Sequence, residues 1–208
     1  HDANRPATGG VAGRGGGRGC MTVLMCRRGA ACIYQGEERG RQEADVRFED
    51  IQDPYGKEFW PKYRGRDGCR TPMVWNQASR NGGFSTAART WLPVPPAHLH
   101  HAVATCETDP TSLLHHYRHA IALRHAHRAL MVGAQSGMRA EGSVLRFLRS
   151  DGDEEIFCAF NMRDAPSAVQ LPAGDWVQIA QELSGAPARA DGRVRLGPWQ
   201  PCLALKVG

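Results

Sequence analysis

The chain has 208 residues, of which 41% are apolar and 23% charged, with a formal net charge of +5. This composition can bury a core, as one domain or as a larger piece plus a small one, so wholesale disorder is excluded. No stretch reaches the roughly 18 consecutive apolar residues that a membrane-spanning helix needs, and we expect no membrane partner.

The positive charge is concentrated near the start of the chain. The first 42 residues carry seven arginines against three acidic groups, whereas the remaining 166 carry 19 basic and 18 acidic groups. A nearly neutral body lacks the basic stripe of nucleic-acid-binding proteins, and we expect no nucleic-acid partner. The tract GRGGGRG at residues 13–19 is the one candidate RNA-binding element, although no aromatic residue interrupts it. Its dense glycine predicts a flexible segment over residues 3–19.

Cysteine usage indicates the cellular compartment. The seven cysteines are odd in number, and none form a C-x-x-C pair. This pattern argues against a zinc ribbon or a disulfide framework and predicts reduced thiols in a cytoplasmic protein. The first 19 residues contain no apolar stretch, so they are not a secretory signal.

The first half of the chain predicts little regular structure. Short apolar runs occupy residues 21–25 and 30–34, and the second ends abruptly at a Gly/Glu corner, which is typical of a buried parallel strand entering a loop. Residues 40–108 carry six prolines and several glycine turn signals, so they predict a long loop. Five aromatic residues of this loop could stack on sugar rings or simply pack the loop, namely Tyr55, Trp60, Tyr63, Trp75 and Trp91.

The second half predicts one helix followed by strands. Residues 109–131 predict a helix, with Asp109 as N-cap and Pro110 in the first turn. From residue 143 the apolar residues alternate, and short runs are bounded by Gly, Pro or Asp. This pattern predicts a small antiparallel β-sandwich over residues 143–208, with the domain boundary near residues 133–142. The six predicted strands are 144–149, 155–160, 168–171, 176–179, 193–196 and 202–207.

Three segments carry a family resemblance. They are Tyr34–Glu38 (YQGEE), Ile51–Gly56 (IQDPYG) and Gly65–Trp75 (GRDGCRTPMVW), in this order. Together they resemble the α-glucosidases of glycoside hydrolase family 13, of the oligo-1,6-glucosidase type. The resemblance covers residues 29–208, and the initial His1-Asp2 resembles a late H-D motif of the family. It continues through Asn81–Ser85, Trp91–Val94, Ser112–Leu114, Tyr117 and Arg118.

The resemblance implies a fold and a division of the chain. The family has a (β/α)8 barrel of roughly 250 residues or more, followed by a C-terminal sandwich. The implied fold class is therefore α/β plus all-β, a C-terminal barrel remnant and a small antiparallel sandwich. Residues 1–132 would hold the end of the catalytic barrel, including an eighth strand at 30–34, and residues 143–208 the sandwich. The glycine-rich stretch departs from the family's apolar helix before that strand, so the sequence does not predict this helix.

The resemblance also implies site residues. Asp2 matches the acid that stabilises the oxocarbenium-like transition state, His1 a histidine that binds sugar hydroxyls, and Arg66 an arginine at the terminal glucose. Arg5 matches a further substrate-binding arginine. Glu37 and Glu38 are adjacent, and we expect them to hold the loop and the barrel rim. Arg70 is expected to have a structural role.

The implied reaction is hydrolysis of terminal α-linked glucose from short oligosaccharides with retention. Such enzymes need a nucleophile and a general acid about 5–5.5 Å apart, and the family takes them from barrel strands absent from these residues. We therefore expect the chain alone to be inactive. The alternative is a carbohydrate-binding piece that complements a separate N-terminal barrel fragment.

No cofactor and no metal are expected. His115 and His119 are spaced i, i+4 on the predicted helix, a spacing that can clamp a metal, but no carboxylate accompanies them there. A helix that faces solvent and its barrel neighbours is the simpler interpretation.

Overall fold

A computed structural model describes residues 13–185, 187, 189–190 and 192–208. These residues form two compact units. The loop unit comprises residues 33–115, and the sheet unit comprises residues 13–32 together with 116–208. These bounds differ from the predicted division, and the assignment of residues 1–132 to a barrel and 143–208 to a sandwich stays a prediction.

The secondary structure consists of eight helices and eight strands within the described residues. The helices are α1 (Gly13–Cys26), α2 (Pro54–Glu58), α3 (Asp67–Arg70), α4 (Pro96–Leu99), α5 (Val103–Thr108), α6 (Leu113–Ala126), α7 (Arg128–Met131) and α8 (Gln181–Ser184). Single 3-10 turns occupy Glu37–Arg39, Phe48–Asp50 and Arg80–Gly83. The strands are β1 (Ala134–Glu141), β2 (Val144–Asp151), β3 (Glu154–Asn161), β4 (Ser167–Gln170), β5 (Asp175–Gln178), β6 (Arg189–Ala190), β7 (Arg193–Leu196) and β8 (Pro201–Val207).

The glycine-rich tract forms a helix, contrary to the predicted flexibility of residues 13–19. Trp199 explains part of its composition. A Cβ built on Gly15 would lie 3.1 Å from Trp199 Cδ1, and one on Gly19 would lie 3.2 Å from the Trp199 carbonyl oxygen. The following apolar run supplies the buried face of the same helix, since Met21 and Met25 are spaced i, i+4. Residues 3–12 of the predicted segment lie outside the described residues.

The predicted eighth strand at residues 30–34 is wrong, because these residues have no regular structure. A parallel strand needs hydrogen-bonded parallel neighbours. Every strand pair in the described part of the chain is antiparallel. The long loop predicted at residues 40–108 is confirmed, since its helices are at most six residues long.

The predicted sandwich is confirmed in the sheet unit. One sheet has the strand order β1-β2-β3-β8-β5, and the other has the order β4-β7-β6. The six predicted strands match β2, β3, β4, β5, β7 and β8 within a few residues, whereas β1 and β6 were missed.

Strand β3 is buried on both faces. Phe157 and Ala159 join a core between the two sheets that includes Val169 and Val194 of the smaller sheet. The alternate β3 residues, including Cys158, join a second core with α1 and α7. Helices on the outer face of the larger sheet thus explain why its central strand is almost continuously apolar.

The predicted helix over residues 109–131 is shorter and interrupted. Asp109 accepts a 2.8 Å hydrogen bond from Thr111 N, so it shapes a turn before α6 rather than capping it. His127, with φ −122° and ψ 114°, separates α6 from α7.

Candidate functional site

The loop unit is organised around the buried carboxylate of Asp53. Its Oδ2 accepts hydrogen bonds from Arg66 N and Arg66 Nε, each at 2.9 Å, and its Oδ1 accepts one from Tyr55 N at 3.2 Å. Asp53 therefore caps α2 and binds the arginine that the resemblance assigns to glucose. The hydrogen bond from the Arg66 side chain lowers the pKa of Asp53 to about 2. The pair is ionised at any neutral or mildly acidic pH.

Asp67 binds the backbone of the segment that contains Asp53. Its fully buried side chain accepts hydrogen bonds from Gln52 N at 2.6 Å and Asp53 N at 2.8 Å. Arg70 Nη1 lies 3.9 Å from the other carboxylate oxygen, an ion pair that fits the structural role expected for Arg70. Two neighbouring carboxylates, Asp53 and Asp67, thus tie the IQDPYG segment to the GRDGCR segment.

Gly68 allows this close approach. A Cβ at this position would lie 2.5 Å from the carbonyl oxygen of Ala44, and Ala44 N donates a 3.0 Å hydrogen bond to Gly68 O. Glycine is the residue that fits without displacing this backbone. The glycine of the GRDGCR string is thereby explained by packing.

The YQGEE corner is held as expected. Glu37 accepts a hydrogen bond from Tyr34 N at 3.3 Å, and Glu38 accepts one from Gly36 N at 2.8 Å. The carboxylates bind their own turn, so the predicted loop-holding role is confirmed, and the role at the barrel rim stays a prediction. Arg39 is buried, pairs with Glu38 at 3.2 Å and donates to Val74 O at 2.9 Å.

Of the predicted site residues, the structure describes Arg66 alone. Its side chain is 32% exposed and is anchored to Asp53. His1, Asp2 and Arg5 lie outside the described residues, so the grouping of the four side chains stays a prediction.

Aromatic residues of the loop unit face solvent. Trp75 is 51% exposed and Trp91 66%, whereas Trp60 is half-buried. Tyr55 and Phe59 have nearly parallel rings with centroids 6.3 Å apart. Trp60 packs against Phe48 with centroids 5.6 Å apart, as the packing interpretation expects, whereas sugar stacking by the other rings stays a prediction.

Two histidines of α6, His115 and His116, lie within hydrogen-bonding distance of oxygen atoms. His115 Nε2 lies 3.1 Å from Glu107 O. His116 is buried, and its Nε2 lies 2.9 Å from Thr22 Oγ1. In the described residues, no group of three or more His, Cys, Asp or Glu side chains could hold a metal ion. None of the described helices has the length and apolarity required to cross a membrane.

Sequence reasoning missed Asp53 and Asp67 as organising residues. Both lie inside the quoted motifs, but a spacing of 14 residues does not reveal that one carboxylate receives the other's backbone N–H. The available signal was Asp53 directly before Pro54, a pattern typical of a helix N-cap.

Comparison with known proteins identifies similar sequences. The family model described as the alpha amylase catalytic domain matches residues 1–133. A probable alpha-glucosidase of Rhizobium meliloti (strain 1021) is 52% identical over 151 residues, which is 73% of this chain and 27% of that protein. An oligo-1,6-glucosidase of Parageobacillus thermoglucosidasius is 33% identical over 86% of this chain and 36% of its own length.

Solved structures show the same similarity. An alpha-glucosyl transfer enzyme, XgtA, superposes with a TM-score of 0.90 at 37% identity, covering 100% of this chain and 39% of that enzyme. A mutant isomaltulose synthase from Erwinia rhapontici NX5, in complex with its natural substrate sucrose, gives a TM-score of 0.81 at 25% identity, covering 100% and 42% of the respective chains. The chain thus spans about a third of the length of these proteins. The predicted fold class, a barrel remnant followed by an antiparallel β domain, agrees with them.

Proposed function

The chain belongs to the alpha-amylase family, and from this premise we propose that it forms part of an α-glucosidase. The proposed reaction is hydrolysis of terminal α-linked glucose from short oligosaccharides with retention, without an organic cofactor, in the cytoplasm. The observation that carries the proposal is the loop that fixes Arg66 on buried Asp53, in a chain 52% identical to a probable alpha-glucosidase over 151 residues.

The proposed roles follow the chemistry of glycoside cleavage. The transition state carries positive charge on the sugar ring, which the carboxylate of Asp2 stabilises. His1, Arg5 and Arg66 hold glucose hydroxyls, a task suited to the fixed donor fork of a guanidinium. Because Asp53 is ionised down to about pH 2, Arg66 keeps its orientation throughout the working pH range. The nucleophile and general acid come from barrel segments that the 208 residues do not contain, so the chain alone is inactive.

The test combines this chain with the missing chemistry. The purified chain is incubated with nitrophenyl α-glucoside, alone and with the separately expressed N-terminal barrel segment of the Rhizobium meliloti relative. The expected result is no hydrolysis by the chain and hydrolysis by the mixture. Asp2→Asn abolishes the restored activity and Arg66→Lys lowers it at least about tenfold, since a lysine cannot reproduce the bidentate fork. Arg89→Lys, at an arginine with a 74% exposed side chain, is the matched control and leaves it unchanged.

Two outcomes would contradict the proposal. Hydrolysis by the chain alone would refute the assignment of nucleophile and general acid to other segments. Equal activity of the Arg66→Lys and Arg89→Lys mixtures would remove Arg66 from the glucose site.

A second candidate function is a non-catalytic carbohydrate-binding piece, favoured by the 51% exposure of Trp75. An indole exposed to this extent reports ligand stacking through its fluorescence. A sugar-dependent emission shift that disappears in Trp75→Ala supports this function, and an identical shift in both proteins excludes Trp75 from it.

A further inference from the structure

A row of exposed aromatic side chains lies on the surface of the loop unit. It consists of Tyr55, Phe59 and Tyr63, which are 59%, 50% and 44% exposed. The backbone sets their spacing, because Phe59 N donates to Tyr55 O at 3.0 Å and Tyr63 N donates to Phe59 O at 3.0 Å. The rings of Tyr55 and Phe59 are nearly parallel with centroids 6.3 Å apart, and Tyr63 follows in the same segment. We call these three residues the aromatic row.

The aromatic row rests on a fixed base. A Cβ at Gly56 would lie 2.9 Å from Arg64 O and 3.0 Å from Gly65 Cα, so the two backbone segments touch. Behind the row, Trp60 packs against Phe48, and the Arg64 guanidinium lies 5.3 Å from the Trp60 ring centroid. These contacts fix the backbone segment that carries the row, which lowers the cost of ordering it on binding.

Charged side chains alternate with the rings. Lys57, Glu58 and Lys62 are exposed within the same segment. Cores of protein–protein interfaces are depleted in lysine and glutamate, so this mixture does not suit a protein partner. An oligosaccharide can contact both kinds of side chain, because it has apolar ring faces as well as hydroxyl groups. The C–H groups of its ring faces meet the negative face of an aromatic ring, and its hydroxyls accept from ammonium groups and donate to carboxylates.

The aromatic row is connected to the proposed glucose-binding arginine through one carboxylate. Asp53 Oδ1 accepts from Tyr55 N at the start of the row, and Asp53 Oδ2 accepts from Arg66 Nε. We propose that the aromatic row binds the glucose units that follow the terminal residue of an α-linked oligosaccharide. This assignment rests on the proposed function for the place of Arg66 at the terminal glucose.

Binding is measured on the chain itself by saturation-transfer NMR, with glucose, maltotriose and the β-linked cellotriose as ligands. The expected result is a dissociation constant at least about fivefold lower for maltotriose than for glucose or cellotriose. Phe59→Ala removes this difference. Phe84→Ala is the matched control, because Phe84 has the same residue type and the same 50% exposure outside the row. Both substitutions lie at half-exposed positions, and unchanged thermal unfolding verifies that each variant is folded.

Three results would overturn the inference: no maltotriose binding, equal binding of cellotriose, or equal loss in Phe59→Ala and Phe84→Ala. Equilibrium binding requires no turnover, so its failure is distinguishable from failure of the proposed function. A chain that binds maltotriose through Phe59 but restores no hydrolysis contradicts the proposed reaction and supports the row. A chain that restores hydrolysis, but whose maltotriose binding does not depend on Phe59, supports the proposed reaction and contradicts the row.

Discussion

The carboxylate of Asp53 connects a helix start to an arginine side chain, and the energetics of this connection can be measured. Its side chain is fully buried, and its pKa falls to about 2 chiefly because the Arg66 side chain hydrogen-bonds it. A depressed carboxyl pKa stabilises the folded state at any pH above the unfolded value of about 4. This stabilisation is lost as the pH falls from about 4 through 2.

We expect Asp53→Asn to lower the free energy of unfolding at pH 7 by about 2 kcal/mol, because the ion pair is lost while the side-chain volume remains. Urea unfolding measures the change. Asp45→Asn is the control, since Asp45 also pairs with an arginine but its side chain is 76% exposed. A surface pair of this kind contributes less than about 1 kcal/mol. Equal losses in the two variants would show that burial of Asp53 adds nothing.

His116 makes the sheet unit sensitive to acid. Thr22 Oγ1 donates to Arg18 O at 2.9 Å, so the hydrogen on His116 Nε2 is directed at Thr22 Oγ1 and Arg18 O. Burial lowers the pKa of His116 to about 4, so the folded state resists its protonation. An unfolded histidine titrates near 6.5. The contribution of His116 to the free energy of unfolding is therefore fully present above pH 6.5. It is lost as the pH falls to about 4.

Between pH 7 and pH 5 we expect His116 to account for a loss of about 2 kcal/mol in the free energy of unfolding. His116→Gln removes this pH-dependent step, whereas His119→Gln, at an exposed position of the same helix, retains it. Denaturant titrations at the two pH values measure the step. An unchanged step in His116→Gln would assign the acid sensitivity to other groups.

Residue types in a motif predicted contacts only where the partner is local. The loop-holding role of Glu37 and Glu38 was predictable, because their partners are two and three residues away. Arg66 was identified through the resemblance, but its partner Asp53 is 13 residues away. A structureless stretch gives no periodicity from which such a pairing can be derived.

Gly68 and Gly142 show two different reasons for a glycine, a lack of space for a side chain and a left-handed backbone. Gly68 lies in α3 against the backbone of Ala44, whereas Gly142 follows β1 with a φ of 59°, and a Cβ added there would have no neighbour within 4 Å. Glycine is required at the first position by space and favoured at the second by backbone geometry.

We expect Gly68→Ala to destabilise the protein by about 3 kcal/mol, since the contact with a carbonyl oxygen forces the backbone apart. Gly142→Ala is expected to cost about 1 kcal/mol, the usual penalty for a left-handed alanine. Thermal unfolding of the two variants ranks them. A larger loss in Gly142→Ala would contradict the steric argument.

A buried arginine completes the end of α1. Arg149 of β2 donates to Cys26 O at 2.6 Å and to Gly133 O at 3.0 Å, and burial lowers its pKa. We expect Arg149→Met to lower the free energy of unfolding by about 3 kcal/mol, because carbonyl groups at the helix end lose their donors. Arg193→Met, at an exposed position of β7, is the control and changes it by less than about 0.5 kcal/mol. Urea titration distinguishes the two.

Alternation predicted the strands that have one or two buried faces and failed for β1, which has none. Strand β1 is exposed along nearly its whole length, so its sequence carries no apolar alternation. Residues 30–34 have the apolar run but no neighbouring strand to pair with in the described structure. Helix α1 was missed because Gly15 and Gly19 are explained by Trp199, a residue that only the tertiary structure brings near.

At the scale of the whole molecule, the described part of the loop unit interrupts the sequence of the sheet unit. Among the described residues, the loop unit is the stretch from 33 to 115, and the sheet unit is assembled from segments on both sides of it. Local packing decided this division: α1 contributes Cys26 to the core that contains Phe147 and Cys158. A boundary predicted from a change of periodicity could not place α1 with strands that follow much later.

The contact between Arg149 and Cys26 O has a consequence for synthesis on the ribosome. Its partners are separated by 123 positions, so α1 leaves the exit tunnel long before its arginine is translated. At about 5–20 residues per second, the delay is on the order of ten seconds. During that time the whole loop unit is translated, while the carbonyl end of α1 still lacks its arginine donor. The end of α1 is therefore completed only late in synthesis.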